Sequence, residues 1–232
     1  MLPESSRFMT GSKTVIVDYG VGNIGAVANM IRRVGGTAVS TSDPDVIEGA
    51  DRLILPGVGA FDQAMEHLVN SGVIEVLREC VLERGTPLLG ICVGMQVLGK
   101  GSEEGGAAGL GWLDAEVVRF DIPELASDLR VPQMGWNELR SVKADPLLSD
   151  FVNEPCFLYF LHSYHMRCHR EDDVVAWSHY GYDFPSLVRS GPVWGIHPRS
   201  IAWFGPPPRM PSKTAADGVG GCIFEAAAPP TI

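Results

Sequence analysis

The segment Gly90-Ile91-Cys92-Val93-Gly94 constrains this chain more than any other. It follows Pro87-Leu88-Leu89, a short apolar run of strand type, and leads into a helix that begins at Met95-Gln96. Glycines two residues before and two after the cysteine make the Gly-x-Cys-x-Gly form of a strand–turn–helix elbow, with sulfur where many hydrolases carry oxygen. The elbow residue sits on a strained bend, and a Cβ at either glycine would strike the neighbouring strand or helix. The bend lifts the sulfur to the top of a sheet, where a helix N-terminus stabilises a thiolate. Cys92 is therefore read as a nucleophile rather than as an inert core thiol.

The surrounding patterns fit an α/β sheet. Thr14 to Asp18 is a β-branched strand followed by the turn Tyr19-Gly20-Val21-Gly22-Asn23, and Ile24, Val27, Ala28, Ile31 and Val34 repeat at helical spacing. Strands are expected at Thr37 to Ser40 and Arg52 to Leu55, and helices at 61–69 and 73–82. Strands alternating with helices across short Gly-rich turns imply a mostly parallel central sheet with helices on both faces. Ligands of such sheets gather at the carboxyl ends of the strands, where both Pro56-Gly57-Val58-Gly59 and Cys92 lie. After Gly101-Ser102-Glu103-Glu104 the pattern turns to β, with strands expected at Glu116 to Phe120, Asn137 to Val142, Phe157 to Tyr164 and Asp173 to Ser178. Closing strands follow at Phe184 to Arg189 and Pro192 to Ile196. This is a peripheral antiparallel part.

Bulk properties exclude several classes. The 232 residues suit one α/β domain, placed at 13–204, with 1–12 a disordered leader and 205–232 a Pro/Gly-rich tail without helical or strand period. A net charge of −10 argues against nucleic acid or an anionic membrane as partner. No apolar run is long enough to span a bilayer. Cys80, Cys92, Cys156, Cys168 and Cys222 are scattered and form no CxxC pair, which suits a reducing, cytoplasmic setting and gives no metal-site spacing.

A cysteine nucleophile needs a base and an oxyanion hole. The hole is assigned to the Val93 N–H and to the Gly57, Val58 and Gly59 loop. Among six histidines, His67, His169 and His179 read as solvated or surface groups. His162 and His165 flank Ser163-Tyr164 at a strand end and can face the site. His197, held by Pro198 after the last expected strand, is the best base candidate.

With these residues in place, the chain resembles, over about positions 13 to 195, the glutamine amidotransferase subunit of imidazole glycerol phosphate synthase, a class I, triad-type amidotransferase with a flavodoxin-like fold. The resemblance rests on Val15 to Asn23, Leu55-Pro56-Gly57-Val58-Gly59-Ala60-Phe61, Gly90 to Gln96, Met134-Gly135-Trp136-Asn137 and His162-Ser163-Tyr164-His165. It implies hydrolysis of glutamine through a Cys92 thioester with no cofactor, and transfer of ammonia to a (β/α)-barrel cyclase in histidine biosynthesis. By the same resemblance Gln96, His162, Ser163 and Tyr164 grip the glutamine, while Asn23, Trp136 and Asn137 meet the cyclase. Two other readings stand beside it: a silent subunit that only docks the cyclase, and a stand-alone cysteine hydrolase of the same fold.

The chain departs from the family at its end. Where the family has Gln-Phe-His-Pro-Glu-Lys-Ser, this sequence has Trp194-Gly195-Ile196-His197-Pro198-Arg199-Ser200, so Arg199 replaces the triad glutamate. Two missing strand residues are expected to shift the imidazole by about 6.6 Å if the strand is anchored upstream. The Pro/Gly-rich tail also replaces the family's final helix, which forfeits on the order of 5–10 kcal/mol of burial. A shift of reading frame near residue 196 accounts for both departures, and resequencing the coding DNA there tests it. Gln133 stands where the family usually has histidine.

Overall fold

The computed structural model describes residues 12–122, 129–141, 143–151, 156–197 and 200–204. The expected leader lies outside the described residues except for Ser12. The tail from 205, together with Pro198 and Arg199, lies outside them as well.

The N-terminal half alternates strand and helix. Its elements are β1 (Thr14–Val17), α1 (Ile24–Arg33), β2 (Ala38–Thr41), α2 (Pro44–Glu48), β3 (Arg52–Gly57), α3 (Phe61–Ser71), α4 (Ile74–Arg78), β4 (Leu88–Cys92) and α5 (Val93–Gln96). Local chemistry sets the helix ends. Asn23 Oδ1 accepts from the Ala26 N–H at 3.0 Å to start α1, and Asp43 caps α2 ahead of Pro44. Gly72, in the left-handed region at φ 71°, stops α3. The expected helix over 73–82 is split, because after α4 the chain loosens into a π-helical turn over Glu79–Glu83.

The C-terminal half is antiparallel: β5 (Ala115–Arg119), β6 (Gln133–Ser141), β7 (Cys156–His162), β8 (Tyr164–Cys168), β9 (Val174–Tyr180), β10 (Tyr182–Ser190), β11 (Val193–Ile196) and β12 (Ser200–Phe204). All but β5 and β8 join the first half in one 10-stranded sheet of order β12-β7-β6-β9-β10-β11-β4-β3-β1-β2. From β2 to β11 the strands run parallel, and beyond β11 they run antiparallel. Pro185 is tolerated inside β10 because it sits at a register irregularity.

Two apolar clusters hold the layers. The first joins Val15, Val17, Leu53, Leu55 and Leu88 of the parallel strands to Ile47, Phe61, Met65, Leu68, Leu77 and Met95 of α2 to α5. Phe61, Met65 and Leu68 alone contribute roughly 5–8 kcal/mol from α3, an upper bound. The opposite face carries α1, which lies along β1 and β2 and gives no residue to this core. The second cluster, Phe120, Leu139, Leu158, Phe160, Phe184 and Leu187, fills the antiparallel part. The candidate site lies where the parallel strands meet that part.

The expected single strand over Phe157 to Tyr164 breaks at Ser163. Before the break β7 pairs with β6, and after it β8 turns away to pair with β5. At that break the Ser163 carbonyl accepts from the Phe120 N–H at 3.0 Å, and the residue lines the site.

Candidate active site

Cys92 ends β4 with φ 57° and ψ −117°, the one non-glycine residue at positive φ among those described. Such a conformation costs on the order of 1–3 kcal/mol and persists only when its surroundings enforce it. The enforcement is visible in the glycines. An ideal Cβ on Gly94 would lie 1.9 Å from the Leu55 carbonyl oxygen, and one on Gly57 would lie 2.3 Å from the Gly94 nitrogen. One on Gly90 would lie 2.6 Å from the Gly94 carbonyl oxygen. Strand β3, the elbow and α5 are therefore in backbone contact, and the loop after β3 is held against the first amides of α5.

A cavity of ≈ 340 Å³ opens at this bend. Val58, Gly59, Cys92, Val93 and Gln96 line it together with His162, Ser163 and Tyr164. Gln96 is buried beneath it. All the residues assigned from the sequence to substrate and oxyanion binding thus meet in one pocket, except Gly57, which packs under its wall.

The structure adds two residues that the sequence did not single out. Glu104 lines the cavity and accepts from the Phe61 N–H at 2.8 Å, at the start of α3. Its loop is pinned by Asp62, whose carboxylate accepts from the Gly106 and Ala107 N–H groups, each at 3.0 Å. Tyr19 is buried, and its hydroxyl is pushed well above the usual phenol range by burial and then by the charge of nearby Cys92.

His197 follows β11, whose pairing with β4 runs Gly195↔Gly90 and Ile196↔Ile91. The next step of that register sets His197 level with Cys92. β11 is anchored sideways on β4 and follows the turn at Gly191, where φ is 57°, and His197 is not among the residues that line the cavity. The His197 ring is fully buried, and neither nitrogen has a hydrogen-bond partner among the described residues. It lies against His162, with ring centroids 4.2 Å apart. Burial, followed by the neighbouring His162, holds its pKa well below the ordinary histidine value.

His162 is displaced in the same direction, from 6.5 to about 4, chiefly by burial. Its folded value lies below its unfolded one, so the unfolded chain takes up a proton the folded chain refuses. The associated stability, roughly 3 kcal/mol, is full above pH 6.5 and is lost as pH falls towards 4. Urea titrations at pH 7.5, 5.5 and 4.5 should show a falling midpoint, and the fall should be shallower in His162→Phe.

The residues assigned to a partner surface are not all together. On β6, Trp136 points to the outer face with exposed Met134 and packs edge-on against Tyr159, ring centroids 5.5 Å apart. Asn137 alternates to the other face, where its amide donates to the His179 carbonyl. Asn23 is exposed, with its side chain engaged at the start of α1. Among the described residues no cluster of His, Cys, Asp and Glu has the geometry to hold a metal, and no helix is long and apolar enough to cross a membrane.

An α/β sheet with a cysteine elbow, a glycine loop facing it and a histidine at the next strand end defines the class of triad-type amidotransferases. Solved structures agree at the level of fold. A glutamine amidotransferase crystal structure superposes with a TM-score of 0.60 at 23% identity, covering 80% of this chain and 89% of that one. A glutamine amidotransferase from Thermotoga maritima gives 0.57 at 16% identity, covering 81% and 75%. Residues 16–121 match the CobB/CobQ-like glutamine amidotransferase domain family. Imidazole glycerol phosphate synthase subunit HisH 2 of Pseudomonas aeruginosa is 45% identical over 193 residues, 82% of this chain and 94% of that protein. The HisH subunit of Wolinella succinogenes is 45% identical over 184 residues, 79% of this chain and 89% of its own length. The chain belongs to the HisH family, the glutamine amidotransferase subunits of imidazole glycerol phosphate synthase.

Proposed function

We propose that this chain is the glutaminase subunit of an imidazole glycerol phosphate synthase, hydrolysing glutamine to glutamate and ammonia for a (β/α)-barrel cyclase. The observation that carries the reading is the strained Cys92 in the lining of a pocket that also holds Gln96, Ser163 and Tyr164. His197 takes the proton of the Cys92 thiol, and the resulting thiolate adds to the γ-carboxamide carbon of glutamine. The oxyanion is received by the Val93 N–H and by the loop at Gly57, Val58 and Gly59. His197 protonates the amino group, ammonia leaves, and a thioester remains. His197 then takes a proton from water, the hydroxide adds to the thioester, and the thiolate departs from glutamate.

Gln96, Ser163 and Tyr164 supply polar groups for the amino-acid end. Glu104, the one carboxylate lining the cavity among the described residues, is suited to the α-ammonium. Glu104→Gln should raise KM for glutamine by about 10-fold, the value of one ionic contact of about 1.4 kcal/mol, and leave kcat nearly unchanged. Steady-state kinetics check this.

The exposed outer face of β6, with Met134 and Trp136, is suited to the cyclase, since a Trp beside flexible apolar surface is a typical anchor. Asn23 and Asn137 are assigned to the same contact by the family pattern. None of the four described cysteines is in a disulfide, which fits a reducing, cytoplasmic setting.

The deciding experiment measures glutamate release by the purified chain with and without the cyclase subunit of a related synthase and its ribonucleotide ligand. Turnover stimulated by the cyclase is expected. Turnover that ignores the cyclase, or binding without turnover, contradicts the reading.

A further inference from the structure

Glu104 reaches the cavity from a loop, and a loop keeps a side chain in place only where other elements hold it. The ends of this loop are tied. Gly101 bridges Ala108 in antiparallel fashion, and the Gly109 N–H donates to the Lys100 carbonyl at 2.9 Å. Its tip is held by the first turn of α3. The Phe61 N–H, one of the amides that a helix start leaves open, donates to Glu104 Oε2 at 2.8 Å, while Ala60 offers the helix no side-chain cap. Asp62, the next residue, answers in the other direction. Its Oδ2 accepts from the Gly106 N–H and its Oδ1 from the Ala107 N–H, each at 3.0 Å. An ideal Cβ on Gly105 would lie 2.1 Å from Asp62 Oδ1 and 2.2 Å from its carboxyl carbon. The carboxylate thus lies against the loop backbone, where a side chain at residue 105 would otherwise project.

We propose that Asp62 is a positioning residue for substrate selection, clasping residues 105–107 so that the adjoining Glu104 stands ready for the α-ammonium of free glutamine. This rests on the glutaminase reading above, which supplies Glu104 with its ligand. A carboxylate has about four lone-pair sites, so the bond from Phe61 leaves Glu104 able to accept from an ammonium. Were the loop loose, ordering it would subtract from the affinity at each binding event, and the clasp removes that loss beforehand. The consequence is confined to the α-amino group. Glutaramate, which is glutamine without that group, keeps the carboxylate and the reacting carboxamide but gives Glu104 nothing to hold. Cys92 and the oxyanion loop are not part of the clasp, so the chemical step is expected to proceed as before.

The test is the kinetics of glutamate release by the full chain with its cyclase partner, with glutaramate as inhibitor. Asp62→Ala should raise KM for glutamine about fivefold, the value of one net hydrogen bond, with kcat within about twofold of wild type. The inhibition constant of glutaramate should stay the same. Gly105→Ala, whose added carbon displaces the Asp62 carboxylate, should reproduce both results from the loop side. Added to Glu104→Gln, Asp62→Ala should change KM no further. An unchanged KM in Asp62→Ala and Gly105→Ala, an equal weakening of glutamine and glutaramate, or effects that add to those of Glu104→Gln overturns the inference. A wild type without turnover contradicts only the glutaminase reading. The same comparisons are then made on calorimetric dissociation constants for the two compounds, and a chain that binds neither overturns the inference as well.

Discussion

Replacing Cys92 with serine lowers cyclase-stimulated glutaminase turnover on the order of 10⁴-fold or more while leaving the unfolding midpoint in place. The two side chains are nearly isosteric, so the elbow itself survives. The loss comes from the base. Burial against His162 makes His197 a weak one, with its pKa held well below the ordinary value. A thiol of unperturbed pKa about 8.5 lies within reach of such a base next to a helix N-terminus, whereas a hydroxyl does not. Steady-state glutamate release measures the first half of this expectation and urea titration the second. Serine turnover within about tenfold of wild type would mean that activation of the nucleophile is not what limits the reaction.

Gly94→Ala carries the largest expected effect on stability, roughly 3–5 kcal/mol. The added carbon would sit 1.9 Å from the Leu55 oxygen and 2.8 Å from the Leu55 carbonyl carbon. Both belong to the backbone of β3, which is locked by the pairs Leu55↔Gly90 and Pro56↔Ile91. Relief requires parting β3 from the elbow, and such a loss is a large share of the 5–15 kcal/mol that holds a domain folded. Gly25→Ala is the control, because nothing lies within 4 Å of its added carbon and its backbone is helical. Its urea midpoint should stay level or rise slightly, and that of Gly94→Ala should fall steeply. Equal midpoints would show that the elbow is not tightly packed.

The parts legible in the sequence are those in which one short stretch dictates its own geometry. Gly90 and Gly94 announce a bend that few other residues permit, and the structure returns both as backbone contacts. The Gly57–Gly59 loop was readable because it closes a strand at the same end of the sheet. Glu104 was not, since Gly-Ser-Glu-Glu-Gly-Gly reads only as a polar turn. Its position depends on Asp62, on another element, pinning residues 106 and 107. Ser163 was legible by motif, but the break that exposes it comes from competition between two ladders, β7 with β6 and β8 with β5. The position of His197 depends on a contact that residue counting leaves out. Counting residues along a strand assumes that the strand is fixed at its start, whereas lateral pairing with β4 fixes this one. Nothing local marks Gln133 as buried opposite His162 on β7.

The most direct test of a sulfur presented to a bound glutamine is covalent capture. A γ-diazoketone analogue of glutamine, incubated with the chain and its cyclase partner, should add one adduct, mapped by mass spectrometry to Cys92 and suppressed by excess glutamine. No adduct, or one shared among Cys80, Cys156 and Cys168 and indifferent to glutamine, would contradict the account.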